Sequence, residues 1–349
     1  MIEHSRLTNK LSLKFSKESL LAIFLILPSI FLVFITYLYP AIFTFIISFA
    51  EYDIVKLNIK KFIQFKNFQY LINNYLFNEA VLRTIYFGFL ICIFTTFLSF
   101  FIAILLNEKF IGRAFLRVII VLPWAVPSVV SGVLWGQMFH ADTGFLNALL
   151  YQLGLISEYK IWLADPLIAL HIIAIAEIWR AIPFMTLFFL SGLQSLPSES
   201  FEAASVDGAN IFHRFTFILL PLMMPIAIPL FLIQFVLAMK SFDTIFVLTR
   251  GGPGGGTTTL NYFIYQEAFE TFNLGRASAA AYVLLIITLA VVLIPSISKK
   301  IITLYWGKNE KYIFYKKIFN LFFCYCYLFY NVFSTLWINS NKYSAREYN

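Results

Sequence analysis

Charge is scarce in this sequence: Asp, Glu, Lys and Arg make up 13% of its 349 residues, against roughly 25% in soluble domains. That scarcity excludes an ordinary water-soluble globular protein. Cysteine is scarcer still. Cys92, Cys324 and Cys326 sit within apolar runs and no nearby His completes a ligand set, so neither a disulfide framework nor a metal centre is expected. Histidine is limited to His4, His140, His171 and His213, on different segments, without the clustered acids, His or Cys that a membrane-embedded enzyme needs at its span ends. The chain lacks GxxxxGK[ST], and its Gly-rich run at 251–256 has no Lys. It therefore carries no phosphate-cradling loop, and no cofactor is expected. The formal net charge is +8, but the cations bracket apolar runs instead of forming one basic surface, which excludes nucleic acid as a partner.

Apolar residues are what the chain has in excess, at 60% hydrophobic and 19% aromatic. A hydrocarbon core of roughly 30 Å takes about 20 apolar helical residues, and in lipid only helices and closed barrels satisfy their own backbone. Charge-free runs of that length occupy 19–50, 85–107, 118–141, 215–239 and 277–298, and a sixth, 166–191, is interrupted only by Glu177 and Arg180. The predicted fold is all-α, a polytopic membrane bundle of six transmembrane helices. The first run far exceeds the roughly 7–15 apolar residues of a cleavable signal, so it reads as a first span.

Segments 1–18, 108–117, 194–220 and everything after 299 carry most of the Lys and Arg. The positive-inside rule puts them, and hence the N-terminus, on the cytoplasmic side of the membrane. Lys56, Lys60, Lys61, Lys66 and Arg83 weigh against this, since they fall in 51–84, the expected periplasmic loop. Residues 85–298 then read as a transmembrane domain of five spans with a polar loop at 194–221. The tail, 299–349, is atypical: its charge-free run 318–341 is either a seventh span or a non-native extension.

The loop contains FEAASVDGAN, Phe201 to Asn210. Ser198 or Ser200 can cap a helix whose first turns hold Glu199 and Glu202, and Gly208 suits the left-handed residue that ends it. About nine residues at about 1.5 Å each give a helix near 14 Å, too short to span anything. A second short helix is predicted to start near Asn210 and run towards Pro221. Read from the pattern alone, this is either an amphipathic helix lying in the headgroups or a docking element, whose small Ala203, Ala204 and Ala209 let another protein approach closely.

The stretch LQSLPSESFEAASVDGANIFHRFTFILLPLMMP resembles the EAA loop of binding-protein-dependent ABC importer permeases, with Glu202, Ala203, Ala204, Asp207, Gly208, Ala209, Phe215, Leu220 and Pro221 in register. EIWRAIPFMTLFFLSGLQSLP before it and FDTIFVLTRGGPGGGTTTLNYFIYQEAF after it are similar to the first permease of maltose, multiple-sugar or glycerol-3-phosphate systems. The likeness runs from about residue 19 to about residue 300. It implies a subunit that hydrolyses no ATP itself but assembles with a second permease, two copies of a cytoplasmic ATPase and a periplasmic solute-binding protein, to import a sugar or related polyol. It further implies that 202–208 forms a coupling helix against the ATPase. Glu202 would supply a polar contact, Gly208 the inter-helix turn and Asp207 internal support, while Gly251, Gly252 and Pro253 would face the binding protein.

Other readings rest on the residues themselves. Pro123 with Pro127, and Pro221 with Pro225 and Pro229, recur every four residues, so their spans are expected to kink or open locally. Glu177 and Arg180 share a helix face, where they either neutralise each other or contact the substrate along its pathway. Gln234, Lys240 and Asp243, placed on the fifth span, offer a sugar hydrogen bonds, and Trp179 or Phe235 a stacking face. Trp124 and Trp135 read as interface anchors. LTRGGPGGGTTTL is expected to be flexible. A secondary transporter or channel without an ATPase is the rival, for which only Glu177 and Arg180 offer an ion-coupling group.

Overall fold

A computed structural model describes residues 17–306, with side-chain surroundings for 21–293; the tail run 318–341 and most of segment 1–18 lie outside the described residues. The chain opens with α1 (Lys17–Val33) and α2 (Tyr39–Ser48), joined through a π-helical turn at Phe34–Leu38. The turn has a local cause. Pro40 has no N–H, and Tyr39 N–H reaches back five residues to Phe34 O, widening the helix as proline-linked breaks do. The same device recurs at Phe215–Leu219, ahead of Pro221, where Leu220 N–H reaches Phe215 O.

Residues 51–84 are more than a loop. A two-stranded antiparallel hairpin, β1 (Ala50–Asp53) with β2 (Asn58–Phe62), adds a small sheet to the all-helical expectation. Its turn is held by Asp53 Oδ1, which accepts N–H bonds from Val55 and Lys56 at 3.0 Å; the Lys56 bond, foremost, holds the carboxyl below the usual Asp range. After α3 (Lys66–Asn73) the second span, α4 (Tyr75–Asn107), starts well before the predicted 85. Arg83 is therefore not a loop cation. It lies inside α4, 3.2 Å from Glu79, and mutual neutralisation lets both enter the helix.

The third apolar run does not form a straight helix. It is α5 (Arg113–Ala125) and α6 (Ser128–Met138), bent by 100°. Pro127 forces this by excluding helical geometry at Val126, which is extended at φ −80, ψ 123, whereas Pro123 is absorbed within α5. The next short helix is α7 (Phe145–Gln152). Its buried Asn147 fastens the loop, with Nδ2 donating to Ala141 O and Lys160 O, and Oδ1 accepting from Lys160 N and Trp162 Nε1.

The fourth span, α8 (Pro166–Gln194), is followed by α9 (Ser198–Val206) and α10 (Ile211–Arg214). The fifth comprises the π turn, α11 (Leu220–Met239) and, beyond a break, α12 (Asp243–Leu248). A short α13 (Leu260–Tyr265) leads to α14 (Leu274–Trp306). Counting the bent pair as one, six helical segments among the described residues are long and apolar enough to cross a membrane. Burial inside such a bundle stabilises by packing, since lipid is as apolar as Leu. α4 packs against α8, with Phe100 against Phe189 at 5.4 Å. A glycine admits α11 to α4: Gly88 lies under Phe235 and Met239, and a Cβ there would sit 3.1 Å from the Phe235 ring.

Candidate functional site

Two helix breaks meet at one cavity. The 100° bend between α5 and α6 brings Trp124 and Ser128 to it, and the break after α11 brings Lys240, Ser241, Phe242 and Asp243. Glu177, Arg180 and Phe184 enter from α8, and Gln234 from α11. The volume is about 370 Å³, within the 300–1,000 Å³ usual for small-molecule sites.

Glu177 organises the wall. It is 7% exposed and pairs with Arg180 Nη2 at 2.8 Å, as their spacing predicts. It also accepts hydrogen bonds from Ser241 Oγ at 3.0 Å and from Thr244 Oγ1. Three charge-assisted donors on one buried carboxylate offset its desolvation and fix the α11–α12 break against α8. On the opposite side Ser128 Oγ donates to Asp243 Oδ2, tying the first break to the second. Gln234, almost fully buried, makes no side-chain hydrogen bond among the described residues, and Lys240 is exposed without an ion pair among them.

Of the predicted pathway residues, Glu177, Arg180, Gln234, Lys240 and Asp243 converge on the cavity. Trp179 does not: it packs edge-on against Trp135 at 6.0 Å. Phe235 is 0% exposed and packs on Phe89 at 4.8 Å, in the core and away from the cavity. Trp124, expected at the membrane interface, lines the cavity instead. Lys240 and Asp243 belong to the break after α11 and the start of α12, not to a continuous fifth helix. Ser128, Ser241 and Thr244 were missed; their signal is hydroxyl residues within a helical turn of a proline or an intramembrane acid.

At the end of the bundle shared by α8 and α11 lies the EAA stretch. α9 has nine residues, with Pro197 at the cap position and Ser198 already helical, so neither serine caps it. It ends in a Schellman motif: Gly208 N–H donates to Ser205 O at 3.2 Å, and Ala209 N–H to Ala204 O at 2.9 Å. Gly208 has φ +75, the left-handed conformation expected of it. Asn210 caps α10 by accepting from His213 N at 2.8 Å. Glu202, Ala203, Asp207 and Gly208 are exposed, while Ala204 and Ala209 are half-buried. Asp207 accepts no side-chain hydrogen bond among the described residues; Arg214 Nη1 to Ser205 Oγ, at 3.0 Å, braces the turn instead.

The Gly-rich loop lies at the other end of α11. It was expected to be flexible, but it is closely bonded. Thr257 Oγ1 donates to Gly252 O at 2.8 Å, Thr258 Oγ1 to Gly251 O at 3.2 Å, and Arg83 Nη1 to Gly255 O at 3.0 Å. Gly251 is buried at φ +78, the Gly252–Pro253 bond is cis, and within the run Gly254 alone is exposed. The glycines let the backbone approach closely enough for the threonines to bond it.

Residues 95–303 match the family described as the binding-protein-dependent transport system inner membrane component. Over 271 residues, 78% of this chain and 88% of its relative, the sequence is 37% identical to the trehalose/maltose transport system permease protein MalF of Thermococcus litoralis. It is 30% identical to the sn-glycerol-3-phosphate transport system permease protein UgpA of Pectobacterium atrosepticum, over 80% of this chain and 93% of the relative. The fold is similar to a chain of a bacterial ABC transporter that imports alginate, with a TM-score of 0.72 and 24% identity over 82% of this chain and 97% of that one.

Proposed function

Since the chain belongs to the binding-protein-dependent transport system inner membrane components, we propose that it is one permease of an ATP-driven importer for a sugar or related polyol. A second, homologous permease completes the pathway, two copies of a cytoplasmic ATPase supply the energy, and a periplasmic binding protein delivers the solute. The N-terminus and α9–α10 lie in the cytoplasm, with the Gly251, Gly252 and Pro253 loop outside. The cation distribution supports this orientation, and it gains support now that Arg83 is paired within α4.

The carrying observation is the short exposed helix α9, its left-handed Gly208 and the capped α10, all rooted in the two spans that wall the cavity. Alternating access needs an element whose contacts differ between two states. α9 presents Glu202, Ala203 and Asp207 to a partner, with exposed Val206, Ile211 and Phe212 beside them. Ala204 and Ala209 close its inner side against the turn. A rotation imposed on α9 is passed through Gly208 and α10 to α11, and thus to the break at Lys240.

The test is co-purification and uptake. Tagged chain is expected to bring down an ATPase, and uptake of a labelled polyol is expected to stop when ATP is depleted while ion gradients are held. Uptake that continues under those conditions would support a self-sufficient secondary transporter.

A further inference from the structure

At the tip of the β1–β2 hairpin Leu57 stands at φ +51, in the left-handed region that a bulky L-residue rarely adopts and that Gly or Asn would occupy with less strain. Its side chain is 74% exposed, and that of Val55 beside it 92%. An apolar side chain held in a strained, exposed turn adds nothing to the fold it sits on, which points to a role in contact. The hairpin does not project away from the bundle. Tyr52, on β1, packs edge-on against Phe43 at 6.0 Å, and Phe43 lies five residues before Ser48, the last of α2, about 7.5 Å back along that span. β1 therefore folds back over the flank of α2, whose Ile42, Phe45 and Ile46 are themselves exposed. Rings continue this surface: exposed Phe65 packs on Phe49 at 5.4 Å, and Phe49 on Phe45 at 5.2 Å. Around it Lys56, Lys61 and Lys66 are exposed and make no ion pair among the described residues, whereas Lys60 is held by Glu51 at 2.8 Å.

We propose that this hairpin is a membrane-surface anchor: Val55 and Leu57 enter the lipid where α2 ends, and Lys56 and Lys61 bind the phosphates of acidic phospholipid headgroups. The contact concerns the membrane and not the solute, so it goes beyond the importer reading and stands apart from it. Chemistry and placement select lipid over a protein. An apolar tip, aromatic rings and lysines form the set that suits a membrane interface, where rings sit at headgroup level and a lysine keeps its charge in water while its stem lies on apolar surface. These groups also extend the exposed apolar flank of a span instead of forming a separate patch. Each lysine close to an acidic membrane surface favours binding by about fivefold. The same contact accounts for the lysines of 51–84 that run against the positive-inside rule, because a lipid phosphate is available in either leaflet. Asp53 fixes the turn by accepting from Val55 and Lys56 N–H, so the wedge is preformed and little ordering is left to lose on insertion.

The purified full chain, carrying Cys324→Ser and Cys326→Ser and with the buried Cys92 left in place, takes a nitroxide at Leu57→Cys or, separately, at Val55→Cys. It is then assembled with unlabelled partner permease and ATPase in nanodiscs of phosphatidylcholine, with or without phosphatidylglycerol. Power-saturation EPR compares collisions with oxygen, which concentrates in lipid, and with a water-soluble nickel chelate. In phosphatidylglycerol discs both labels are expected to lose the nickel collisions and keep the oxygen collisions. Lys56→Gln with Lys61→Gln is expected to move the ratio of inserted to solvated label about 25-fold towards water, about fivefold for each lysine, and only where phosphatidylglycerol is present. Val55 lies outside the left-handed region, so its label stands as the test if Leu57→Cys disturbs the turn. Labels open to nickel in both discs overturn the inference, as does insertion unchanged by the lysine variants. Labels shielded from both reagents, or shielded only once loaded binding protein is added, overturn it as well and assign the hairpin to a protein contact.

Discussion

Arg214 donates from Nη1 to the Ser205 hydroxyl at 3.0 Å, across the turn that Gly208 makes, so the end of α10 is tied to the last turn of α9. Ser205 in turn donates to Phe201 O at 2.7 Å. The angle between the two short helices is thus set by a side-chain brace as well as by the backbone.

An exposed bond of this kind contributes about 0.5–1 kcal/mol, too little to unfold a helix bundle but enough to loosen a lever. Ser205→Ala and Arg214→Gln are each expected to leave thermal stability of the assembled complex unchanged while lowering transport per ATP hydrolysed two- to fivefold. The ratio of uptake to phosphate release in proteoliposomes measures this. An unchanged ratio would show that the brace transmits nothing.

Gly208 offers a sharper cut. Its φ of +75 places it where L-residues are strained, yet a Cβ there would meet nothing within 4 Å. The penalty for a side chain is therefore purely conformational, about 1–2 kcal/mol, and greatest for a β-branched residue. Gly208→Val is expected to give an assembled complex with uptake near background, whereas Gly208→Asn, which tolerates the left-handed region, retains most of it. Normal uptake by the Val variant would remove Gly208 from the coupling path.

This turn was legible in the sequence, and the cavity only in part. Gly after Asp and Asn two residues on define a helix end and a new start through local chemistry, so the EAA stretch could be read from its own residues. Glu177 and Arg180 were legible as a pair because three residues on a helix bring them together. What could not be read was which distant hydroxyls close on Glu177, since Ser241 and Thr244 lie 64 and 67 residues away and arrive through a helix break. Nor does composition reveal that a Gly–Thr loop is closely bonded. Its threonines bond it locally, and one further bond comes from Arg83, 172 residues away on α4 and, by hydropathy, placed in the loop before that helix.

Gly275 sits at the start of α14, where the chain docks on the hairpin. A Cβ at this position would come 2.5 Å from Ala50 O and 2.8 Å from Asn67 Nδ2, and that same amide donates to Ser48 O at 2.9 Å and Ala50 O at 3.1 Å. Backbone and a bonded amide cannot yield as a flexible side chain does. Gly275→Ala is expected to destabilise the chain by about 1–3 kcal/mol, read as a lowered melting temperature of the purified protein. The cavity lies elsewhere, so uptake of the labelled polyol at low temperature is expected to be unchanged.

Arg83 bears on both stability and assembly, and the two can be separated. Its guanidinium is 12% exposed, pairs with Glu79 at 3.2 Å and donates to Gly255 O at 3.0 Å. Arg83→Met keeps the apolar stem but takes the guanidinium from a carboxylate only 5% exposed, a loss of about 3 kcal/mol for a buried pair. The double variant Arg83→Met with Glu79→Gln removes both charges and is expected to recover most of that stability. It does not restore the bond to Gly255 O. The loop from Gly251 to Gly256 therefore stays loosened in the double variant, and amide exchange at Gly256 and Thr257, whose N–H groups donate to Pro253 O and Gly251 O, is expected to quicken about tenfold. If this loop is where the binding protein docks, a stable double variant will still show weakened stimulation of ATP hydrolysis by loaded binding protein. Full stimulation with a loosened loop would place that contact elsewhere on the outer face.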